Sequence, residues 1–556
     1  MYFINKALLS FFLIILTASN SFALTDAEIE GLLGRMSLEE KIGQLFIVGT
    51  GGRQVGRVPK AHISKRFVGG FILYEKNVST PDQVAALTTE LQLHAQKTPN
   101  GIPLFIAIDQ EGGKVSRFKR GTTIFPGNMA LGATQSQPLA LRAGKITGIE
   151  LKVMGINLNL APVLDVNTNP KNPAIGIRSY GESPELVSQL GTAYIRGIQS
   201  QDVLATAKHF PGHGDANADS YKKLPLVTKS HKGLDKVELV PFCNAIDAGV
   251  AAIMTAHILY PGLDNQMPAT LSHTILTKLL REELGFEGLI ITDDLEMKAI
   301  EERYDISKAA VLTIQAGADM LLIPWTLQKQ QNAFNAVRQA IKTKRITKTR
   351  LNDSLRRILK AKNAIGMFEQ RIAHIENPQA INSPLSVVGN REHRDIAQKI
   401  STQAVSIVKD TPGILPLDAE PKKPVLIISP SRDFSNTFMK AHLDLTHVTT
   451  ILIPPIIITR QYIPHLLSSK PTVIVAGIAN LKQAQLVHQL SKTTDVPIIA
   501  ISVTSPYLLS ECPNVECAIA AYDNNYFSLL AAVEVLLGKK QAKGKLPVTI
   551  PFQLKN

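Results

Sequence analysis

The chain has few cysteines for its length. Only Cys243, Cys512 and Cys517 occur among its 556 residues, which excludes a disulfide-rich scaffold and any zinc site built on cysteines. Cys512 and Cys517 are close enough in sequence to pair in an oxidising compartment, which would leave Cys243 unpaired. In the alternative, all three are small buried apolar residues, and the sequence leaves both possibilities open.

The chain also lacks the patterns of several other protein classes. Glycine and proline are moderate, at 36 and 32 residues, and hydrophobic residues make up 45% of the chain, so collagen-like, coiled-coil and disordered architectures are excluded. The net charge is +14, but the basic residues are scattered rather than grouped in runs, so no nucleic-acid partner is expected. Because a single core stops growing near about 250–300 residues, this length predicts about two domains.

The first 23 residues differ in composition from the rest of the chain. Lys6 precedes an apolar stretch from Leu8 to Leu16, and residues 21–23 form a small-x-small pattern. This pattern is typical of a cleaved export signal, although an uncleaved anchor is the alternative, and so short a run does not span a bilayer comfortably. We expect residues 1–23 to be a signal peptide and the mature protein to be exported, periplasmic or secreted, without stable membrane insertion.

Short apolar, β-branched runs alternate with amphipathic stretches between Lys41 and Pro324. Each run has the length of a buried parallel strand. The eight runs begin at Lys41, Val68, Pro103, Ile156, Leu204, Ala251, Leu289 and Ala318. Eight strands separated by helical patterns predict an α/β fold of the (β/α)8 TIM-barrel type. A doubly wound sheet is the alternative, but no glycine-rich nucleotide fingerprint follows the first run.

A second α/β region is predicted after the barrel. We assign residues 24–370 to the barrel domain, 371–400 to a linker that includes IENPQAINSPLS, and 401–556 to a C-terminal domain. Five further strand candidates, a helical stretch from Asn525 and the final GKLPVTIPF predict an α/β sandwich there. This region has no dense cluster of acids and histidines, so we expect it to support the barrel or to shape its substrate site.

Polar residues are concentrated at or just beyond the carboxyl ends of the predicted barrel strands. They are Asp109, Asp165, Lys208, His209, His257, Asp293 and Asp294. A single Asp at such a position commonly caps the following helix. Barrel active sites are built at this face, however, and several strands carrying such residues together favour an active site over capping.

Three segments contain most of these polar residues. IDQEGGKVSRF begins at Ile108, and its two glycines let the backbone pass close to a ligand. KHFPGHGDANADSYKKLP begins at Lys208 and is a loop rich in Gly, Pro, Lys, His and Asp. In LREELGFEGLIITDDLEM, from Leu280, an apolar strand delivers Asp293 to the mouth of the barrel.

Together with NLAPVLDVN at Asn159 and IGIRSYG at Ile175, these segments resemble glycoside hydrolase family 3, in its β-N-acetylglucosaminidase branch. The resemblance covers the barrel from about Gly43 to Pro324, with several motifs in the same order, and the second domain resembles the family's C-terminal sandwich. It implies retaining hydrolysis of terminal, non-reducing β-linked N-acetylglucosamine from oligosaccharides, with peptidoglycan fragments as a plausible source. It implies no cofactor and no metal, and we expect a monomer whose partner is the glycan.

The resemblance also implies roles for individual residues. Asp293 matches the nucleophile that forms a glycosyl-enzyme intermediate. Five residues match those that bind the sugar hydroxyls and the N-acetyl group: Asp109, Arg117, Arg178, Lys208 and His209. Asp294 would point elsewhere, because successive side chains of a strand alternate between its faces, and would serve structure.

One position departs from the family pattern. This branch normally has Asp-Ser-His, in which the Asp positions a His that acts as general acid and base, whereas this chain has Asp219, Ser220 and Tyr221. A free Tyr titrates near 10 and a free His near 6.5. Neutral Tyr can donate a proton, but at pH 7 it is almost never ionised to activate water. Deglycosylation should therefore suffer more than glycosylation.

Several interpretations of this departure stay open. A nearby lysine could lower the pKa of Tyr221, with Lys208, Lys222 and Lys223 as the candidates. His213 or Asp215 could take its place, or the protein could be a weak enzyme or a glycan-binding relative. A β-glucosidase of the same family is a further alternative, although such members typically take the acid/base from the second domain. A metal site fits the types of four residues, His209, His213, Asp215 and Asp219.

Overall fold

A computed structural model of the chain describes residues 23–369, 385–411, 413–417, 424–441, 448–452 and 463–551. The expected signal peptide thus lies outside the described residues except for its last position, and so does the first part of the expected linker. None of the helices in the described ranges is long and apolar enough to cross a membrane.

The first domain is a closed barrel of eight parallel strands in the order β1 to β8, which confirms the predicted TIM-type fold. The strands are β1 (Phe46–Gly49), β2 (Gly70–Leu73), β3 (Phe105–Ile108), β4 (Leu158–Asn159), β5 (Leu204–Phe210), β6 (Ala252–Thr255), β7 (Leu289–Asp294) and β8 (Met320–Ile323). Strand β1 pairs with both β2 and β8, which closes the ring.

The helices of this domain surround the barrel. They are α1 (Asp26–Arg35), α2 (Leu38–Gly43), α3 (Arg57–Arg66), α4 (Pro81–Gln96), α5 (Asn128–Thr134), α6 (Gln137–Val153), α7 (Pro184–Gln199), α8 (His231–Lys236), α9 (Val240–Asp247), α10 (Lys298–Glu301), α11 (Ile306–Ala316), α12 (Leu327–Lys342) and α13 (Lys348–Ala364). Many begin directly after a Ser or Thr whose hydroxyl accepts a backbone N–H of the first turn, as Ser183 does for Leu186.

Two predicted strand runs are shorter in the structure. Residues 41–43 belong to α2, because Ser37 and Glu40 form a capping box that starts a helix there. In the run from Ile156, only two residues pair as β4. The Asn159 side chain then pairs with the backbone of Gln110, and Pro162 has no N–H to continue the ladder.

The floor of the barrel contains a buried lysine. Lys362 of α13 is fully buried; its Nζ donates to Oε1 of Gln44 at 2.7 Å and to the carbonyl of Gly69 at 3.1 Å, and it lies over the ring of Phe105. Burial lowers the pKa of this ammonium well below its ordinary value. This polar contact closes the end of the barrel opposite the carboxyl ends of the strands.

The second domain is a six-stranded mixed sheet in the order β11-β10-β12-β13-β14-β9, in which only β9 is antiparallel to its neighbour. Its strands are β9 (Ser406–Asp410), β10 (Val425–Ser429), β11 (Val448–Leu452), β12 (Val473–Ile478), β13 (Ile498–Ser502) and β14 (Cys517–Ala520). Its helices are α14 (Arg391–Ala404), α15 (Arg432–Ala441), α16 (Ile463–Leu467), α17 (Leu481–Leu490) and α18 (Tyr526–Leu536).

Side chains of β12 alternate between two apolar cores, one on each face of this sheet. Ile474 packs with Val487 of α17 in one core, and Val475 packs with Phe434 of α15 and Leu529 of α18 in the other. Helices therefore cover both faces, which agrees with the predicted α/β sandwich.

The predicted linker ends earlier in the structure than residue 400. Helix α14 starts at Arg391, where the Asn390 side chain accepts the N–H of His393, and it buries the side chains of Ile396 and Ile400. The Glu150 carboxylate of α6 accepts a hydrogen bond from the His393 ring at 2.8 Å. These contacts make residues 391–400 part of the packed structure, although their polar composition is typical of a linker.

The two domains share one of their cores. Met129, Ala130 and Ala133 of α5 pack among second-domain residues. Nearby, the buried Asp523 carboxylate accepts the N–H of Gly127 at 3.3 Å, and a Cβ built on Gly113 (φ 55°) would lie 2.8 Å from Oδ2 of that carboxylate. The second domain therefore packs against the backbone of the loop that follows β3.

The three cysteines are free, and Cys512 and Cys517 are buried. Burial raises the pKa of both of these thiols to about 12. The structure thus corresponds to the second of the two possibilities left open by the sequence.

Candidate active site

A cavity of about 240 Å³ opens at the carboxyl ends of the barrel strands. All eight residues selected from the sequence line it: Asp109, Arg117, Arg178, Lys208, His209, Asp219, Tyr221 and Asp293. A larger groove of about 530 Å³ lies on the second domain, but lysines and amides form most of its lining and it has a single carboxylate, Asp395. The acids and imidazoles that hydrolysis needs converge only in the barrel cavity among the described residues.

Lys208 is at the centre of the charged wall of the cavity. Strand β5 buries all of its residues, and the Lys208 side chain is 2% exposed. Its Nζ lies 2.8 Å from Oδ1 of Asp109 and 2.7 Å from Oε1 of Glu111. Burial favours the neutral amine, but the two carboxylates outweigh it and raise the pKa of Lys208. Lys208 is therefore a fixed cation and not a proton donor at neutral pH.

Two arginines complete the ion-pair network. Nη2 of Arg117 lies 2.7 Å from Asp109, and Arg178 donates from Nε and Nη2 to the two oxygens of Glu111 at 2.9 and 2.7 Å. Burial alone would raise the pKa of each carboxyl, but Lys208 and the arginines hold the pKa of both below the ordinary range. Such preorganised, charge-assisted donors and acceptors suit the hydroxyl groups of a sugar.

A buried carboxylate orients the histidines of the β5 loop. The backbone N–H groups of His209 and His213 donate to Oδ1 of Asp165 at 3.1 and 2.6 Å, and Nδ1 of His209 lies 2.7 Å from Oδ2. Burial lowers the pKa of His213 to about 4, so its ring is neutral at pH 7. Nε2 of His213 lies 3.4 Å from Oγ of Ser220, and its Nδ1 has no partner in the described part of the chain.

Asp293 lies at the end of β7, half-buried, with its carboxylate in the cavity wall. Its Oδ1 accepts the N–H of Asp294 at 2.8 Å. Behind the strand end, the buried ring of His257 lies 2.9 Å from the carbonyl of Asp294 and 2.7 Å from Oγ1 of Thr270. Burial lowers the pKa of His257, so that it contributes a neutral, fixed hydrogen bond to the backbone next to Asp293.

Asp294 differs in part from the expectation that it points away from the site. Its carboxylate is buried and accepts the indole N–H of Trp325 at 2.7 Å, which is a structural role, but Asp294 also lines the cavity. Burial, with a contribution from the charge of Asp293, raises the pKa of Asp294 to about 7. The bulge in the pairing of β7 with β8 lies between Ile291 and Asp294, where the regular alternation of the strand is lost.

Tyr221 lies at the mouth of the cavity, and 60% of its surface is exposed. Partial burial and the carboxylate of Asp293 raise the pKa of its hydroxyl, so the proposed lowering of that pKa by Lys208, Lys222 or Lys223 is contradicted. Oδ1 of Asp219 accepts the backbone N–H of Tyr221 at 2.9 Å. The Asp of the motif thus contacts the backbone of the next residue but one rather than the phenol.

The four residues considered for a metal do not come together as a ligand set. No group of three or more His, Cys, Asp and Glu side chains in the described ranges could hold a metal ion. Asp215 instead contacts the Thr168 hydroxyl at 3.1 Å and lies 3.8 Å from Nζ of Lys229. It is absent from the lining of the cavity, which argues against it as a substitute acid or base.

Sequence analysis missed Glu111, although this residue is as deeply buried in the network as Asp109. A sign of it existed in the charge balance, because the selected sugar-binding residues included three cations, Arg117, Arg178 and Lys208, but only one carboxylate. Tyr74, the residue after β2, also lines the cavity. It follows an ordinary apolar strand and gave no such sign.

Comparisons with known proteins agree with this geometry. The family described as "Glycosyl hydrolase family 3 N terminal domain" matches residues 37–361, more than half of the chain. Beta-hexosaminidase A of Pseudoalteromonas piscicida is 33% identical over 549 residues, with 88% of this chain and 90% of that protein covered. A protein of Cellulomonas fimi named beta-N-acetylglucosaminidase/beta-glucosidase is 28% identical, with 93% and 94% covered.

A solved structure is similar over nearly the whole chain. A glycoside hydrolase family 3 beta-N-acetylglucosaminidase from Paenibacillus sp. str. FPU-7 is 37% identical, with a TM-score of 0.85 over 93% of this chain and 99% of that one. The family match, the full-length relative and the shared two-domain fold all point the same way. The chain belongs to glycosyl hydrolase family 3.

Proposed function

We propose that the protein is a β-N-acetylhexosaminidase that removes terminal, non-reducing β-linked N-acetylglucosamine with retention of configuration. The observation that carries this proposal is the single cavity in which Asp293 lies with the ion-pair network of Asp109, Glu111 and Lys208. At about 240 Å³, the cavity is smaller than the roughly 300–1,000 Å³ of pockets for drug-sized ligands. It suits one sugar ring, and hence the end of a glycan rather than its middle.

In the first step the Asp293 carboxylate attacks the anomeric carbon, and the glycosidic carbon–oxygen bond breaks. The departing oxygen takes a proton from a general acid, for which Tyr221 and His213 are the cavity residues that can carry one. His213 is neutral at pH 7 because burial lowers its pKa to about 4. The neutral phenol of Tyr221, at the mouth, is the better placed donor to a leaving group that projects outward.

In the second step water attacks the same carbon and the ester to Asp293 breaks. A base must accept the proton of the water, and the Tyr221 phenol is a poor one because its pKa is raised. We therefore propose that hydrolysis of the glycosyl-enzyme limits turnover. The second candidate function, a glycan-binding protein with impaired catalysis, is favoured by this one observation.

The test is steady-state hydrolysis of matched aryl β-glycosides of N-acetylglucosamine and of glucose. We expect a clear preference for N-acetylglucosamine and a burst of aryl alcohol before the steady state. A preference for glucose would favour the β-glucosidase alternative, which the name of the Cellulomonas fimi relative makes worth testing. Binding of N-acetylglucosamine without turnover of either glycoside would favour the binding-protein alternative.

We also propose that the protein is exported after cleavage behind Ala23, acts as a monomer and takes peptidoglycan fragments as its glycans. The N–H and carbonyl of Leu24 both pair with the Asn363 side chain of α13 at 2.8 Å, so a chain that begins at Leu24 has a docked first residue. Intact-mass analysis of protein from its native host should find Leu24 as the first residue. A chain that retains Met1 in the cytoplasm would contradict the proposal.

A further inference from the structure

The rim of the cavity has an aromatic side chain that the proposed reaction does not use. Trp325, between β8 and α12, is 47% exposed and is the only tryptophan of the chain. Its ring stacks on Tyr74, with centroids 4.1 Å apart and an angle of 33° between the planes. Because Tyr74 lines the cavity, the aromatic surface runs without interruption from the cavity wall to the exposed ring.

Three independent contacts hold Trp325 in place. The indole N–H donates to Oδ2 of Asp294 at 2.7 Å. The backbone N–H groups of Trp325 and Thr326 donate to Oε1 of the buried Glu296 at 2.7 and 3.0 Å. Both carboxylates belong to the segment that follows Asp293, so the position of the ring is tied directly to that of the nucleophile. A large exposed apolar ring that is held this firmly is preorganised to bind something.

We propose that Trp325 and Tyr74 form the subsite for the aglycone, and that this subsite takes a second pyranose ring. This inference rests on the proposed function and deepens it by naming the chemical class of the leaving group. A pyranose has an apolar face of C–H groups that packs on an aromatic ring, while its hydroxyls stay in water. A ring bound in the cavity would place its linked neighbour at the rim, where Trp325 is exposed.

Lys76 gives this subsite a charge. Its Nζ lies 4.7 Å from the centroid of the Trp325 ring, and Lys114, which lines the cavity, is exposed on the same mouth. Lys222 and Lys223 follow Tyr221 and are exposed as well. The second pyranose is therefore expected to be bound better when it has a carboxylate substituent, because an ammonium group at the rim can pair with it.

The single tryptophan makes binding at this subsite directly observable. In Asp293→Asn, which cannot turn over, titration with di-N-acetylchitobiose should shift or quench the tryptophan emission, whereas N-acetylglucosamine alone should leave it nearly unchanged. Absence of a change with the disaccharide would overturn the proposal. An equal change with the monosaccharide would do the same, since the ring would then report the cavity and not the rim.

Kinetics supply the second test. Trp325→Ala should lower kcat/KM on di-N-acetylchitobiose by about tenfold or more, which corresponds to the loss of one good aromatic contact. The same variant should stay within about twofold of wild type on the glycosyl fluoride of N-acetylglucosamine, which has no aglycone ring. Trp325→Phe should retain most of the disaccharide activity. Equal losses on both substrates would assign Trp325 a structural role and overturn the proposal.

The charge is tested with a pair of disaccharides that differ in a carboxylate. Lys76→Gln should lower the ratio of kcat/KM for N-acetylglucosamine linked to N-acetylmuramic acid over that for di-N-acetylchitobiose by about threefold or more. Lys60→Gln, an exposed lysine on α3 outside the cavity lining, is the matched control and should leave the ratio unchanged. An unchanged ratio in Lys76→Gln would overturn the preference for a carboxylate. If the wild type hydrolyses none of these substrates, the proposed function fails, and the fluorescence titration of the wild type still decides the subsite.

Discussion

Replacing Tyr221 by His should raise turnover, above all on substrates with poor leaving groups. A Tyr of ordinary pKa is ionised at pH 7 in about one molecule per thousand, and the raised pKa of Tyr221 makes that fraction smaller still. A His of ordinary pKa is mostly neutral at pH 7, with a substantial protonated minority. It can therefore donate a proton in the first step and accept one from water in the second.

The structure sets the size of the expected gain. Oδ1 of Asp219 already accepts the N–H of residue 221, while its Oδ2 has no partner among the residues that the structure describes, so this oxygen can orient an imidazole. General acid–base catalysis contributes about 10²–10⁴-fold. We expect Tyr221→His to raise kcat about 100-fold or more on alkyl glycosides and disaccharides, and to raise it less on activated aryl glycosides.

The assay compares wild type, Tyr221→His and Tyr221→Phe on leaving groups of rising pKa, with the burst amplitude measured beside kcat. Asp219→Ala in the His background should remove most of the gain. Two results would refute the reasoning. Full activity of Tyr221→Phe without a gain in Tyr221→His would place the acid/base elsewhere, with His213 as the next candidate. Loss of activity in Tyr221→Phe that His does not restore would make the phenol itself the working group.

Four further predictions concern single residues. Asp293→Asn should fold normally and lose turnover by at least about 10³-fold, because an amide is not an anionic nucleophile; activity above that level, with deamidation excluded by mass, would remove Asp293 from the role. Glu111→Gln should raise KM for N-acetylglucosaminides and lower the free energy of unfolding by about 3–5 kcal/mol in urea titrations, because it unpairs two buried cations; an unchanged KM would limit Glu111 to a structural role. The emission of Trp325 should titrate near pH 7, because the indole N–H donates to Asp294, whose pKa is raised to about 7; Asp294→Asn should abolish this titration. Because the folded-state pKa of Lys362 is lowered, the unfolded state binds more protons between that pKa and about 10.4, and the stability of wild type relative to Lys362→Met should rise with pH in this window; a flat difference in urea midpoints would contradict this.

The positions that sequence predicted well share one physical property. Asp109, Lys208 and Asp293 each end an apolar run of strand length, and the carboxyl ends of parallel strands must meet at one face of a barrel. Their convergence therefore follows from the order of elements, without any knowledge of contacts. The same reasoning predicted the closed barrel and the sandwich, because both depend on the length and spacing of apolar runs.

The positions that sequence did not predict depend on partners from distant elements. Glu111 matters because Arg178, 67 residues further on, donates to it twice. Trp325 is held by Asp294 across a separation of 31 residues. No local pattern marks either contact. The end of the linker was missed for the same reason, since the helix that starts at Arg391 is stabilised by burial against Glu150 and its neighbours rather than by composition.

The shared core at α5 decides what can be removed from this protein. A chain cut between the domains would leave Met129, Ala130 and Ala133 facing water, and the N–H of Gly127 would lose the Asp523 carboxylate. That N–H lies beside the glycine pair that follows Glu111, so the damage would reach the sugar-binding wall through the backbone. The barrel contains all of the chemistry, yet it is not a detachable catalytic module. For anyone who wishes to shorten or recombine the enzyme, the whole two-domain chain is the unit of exchange.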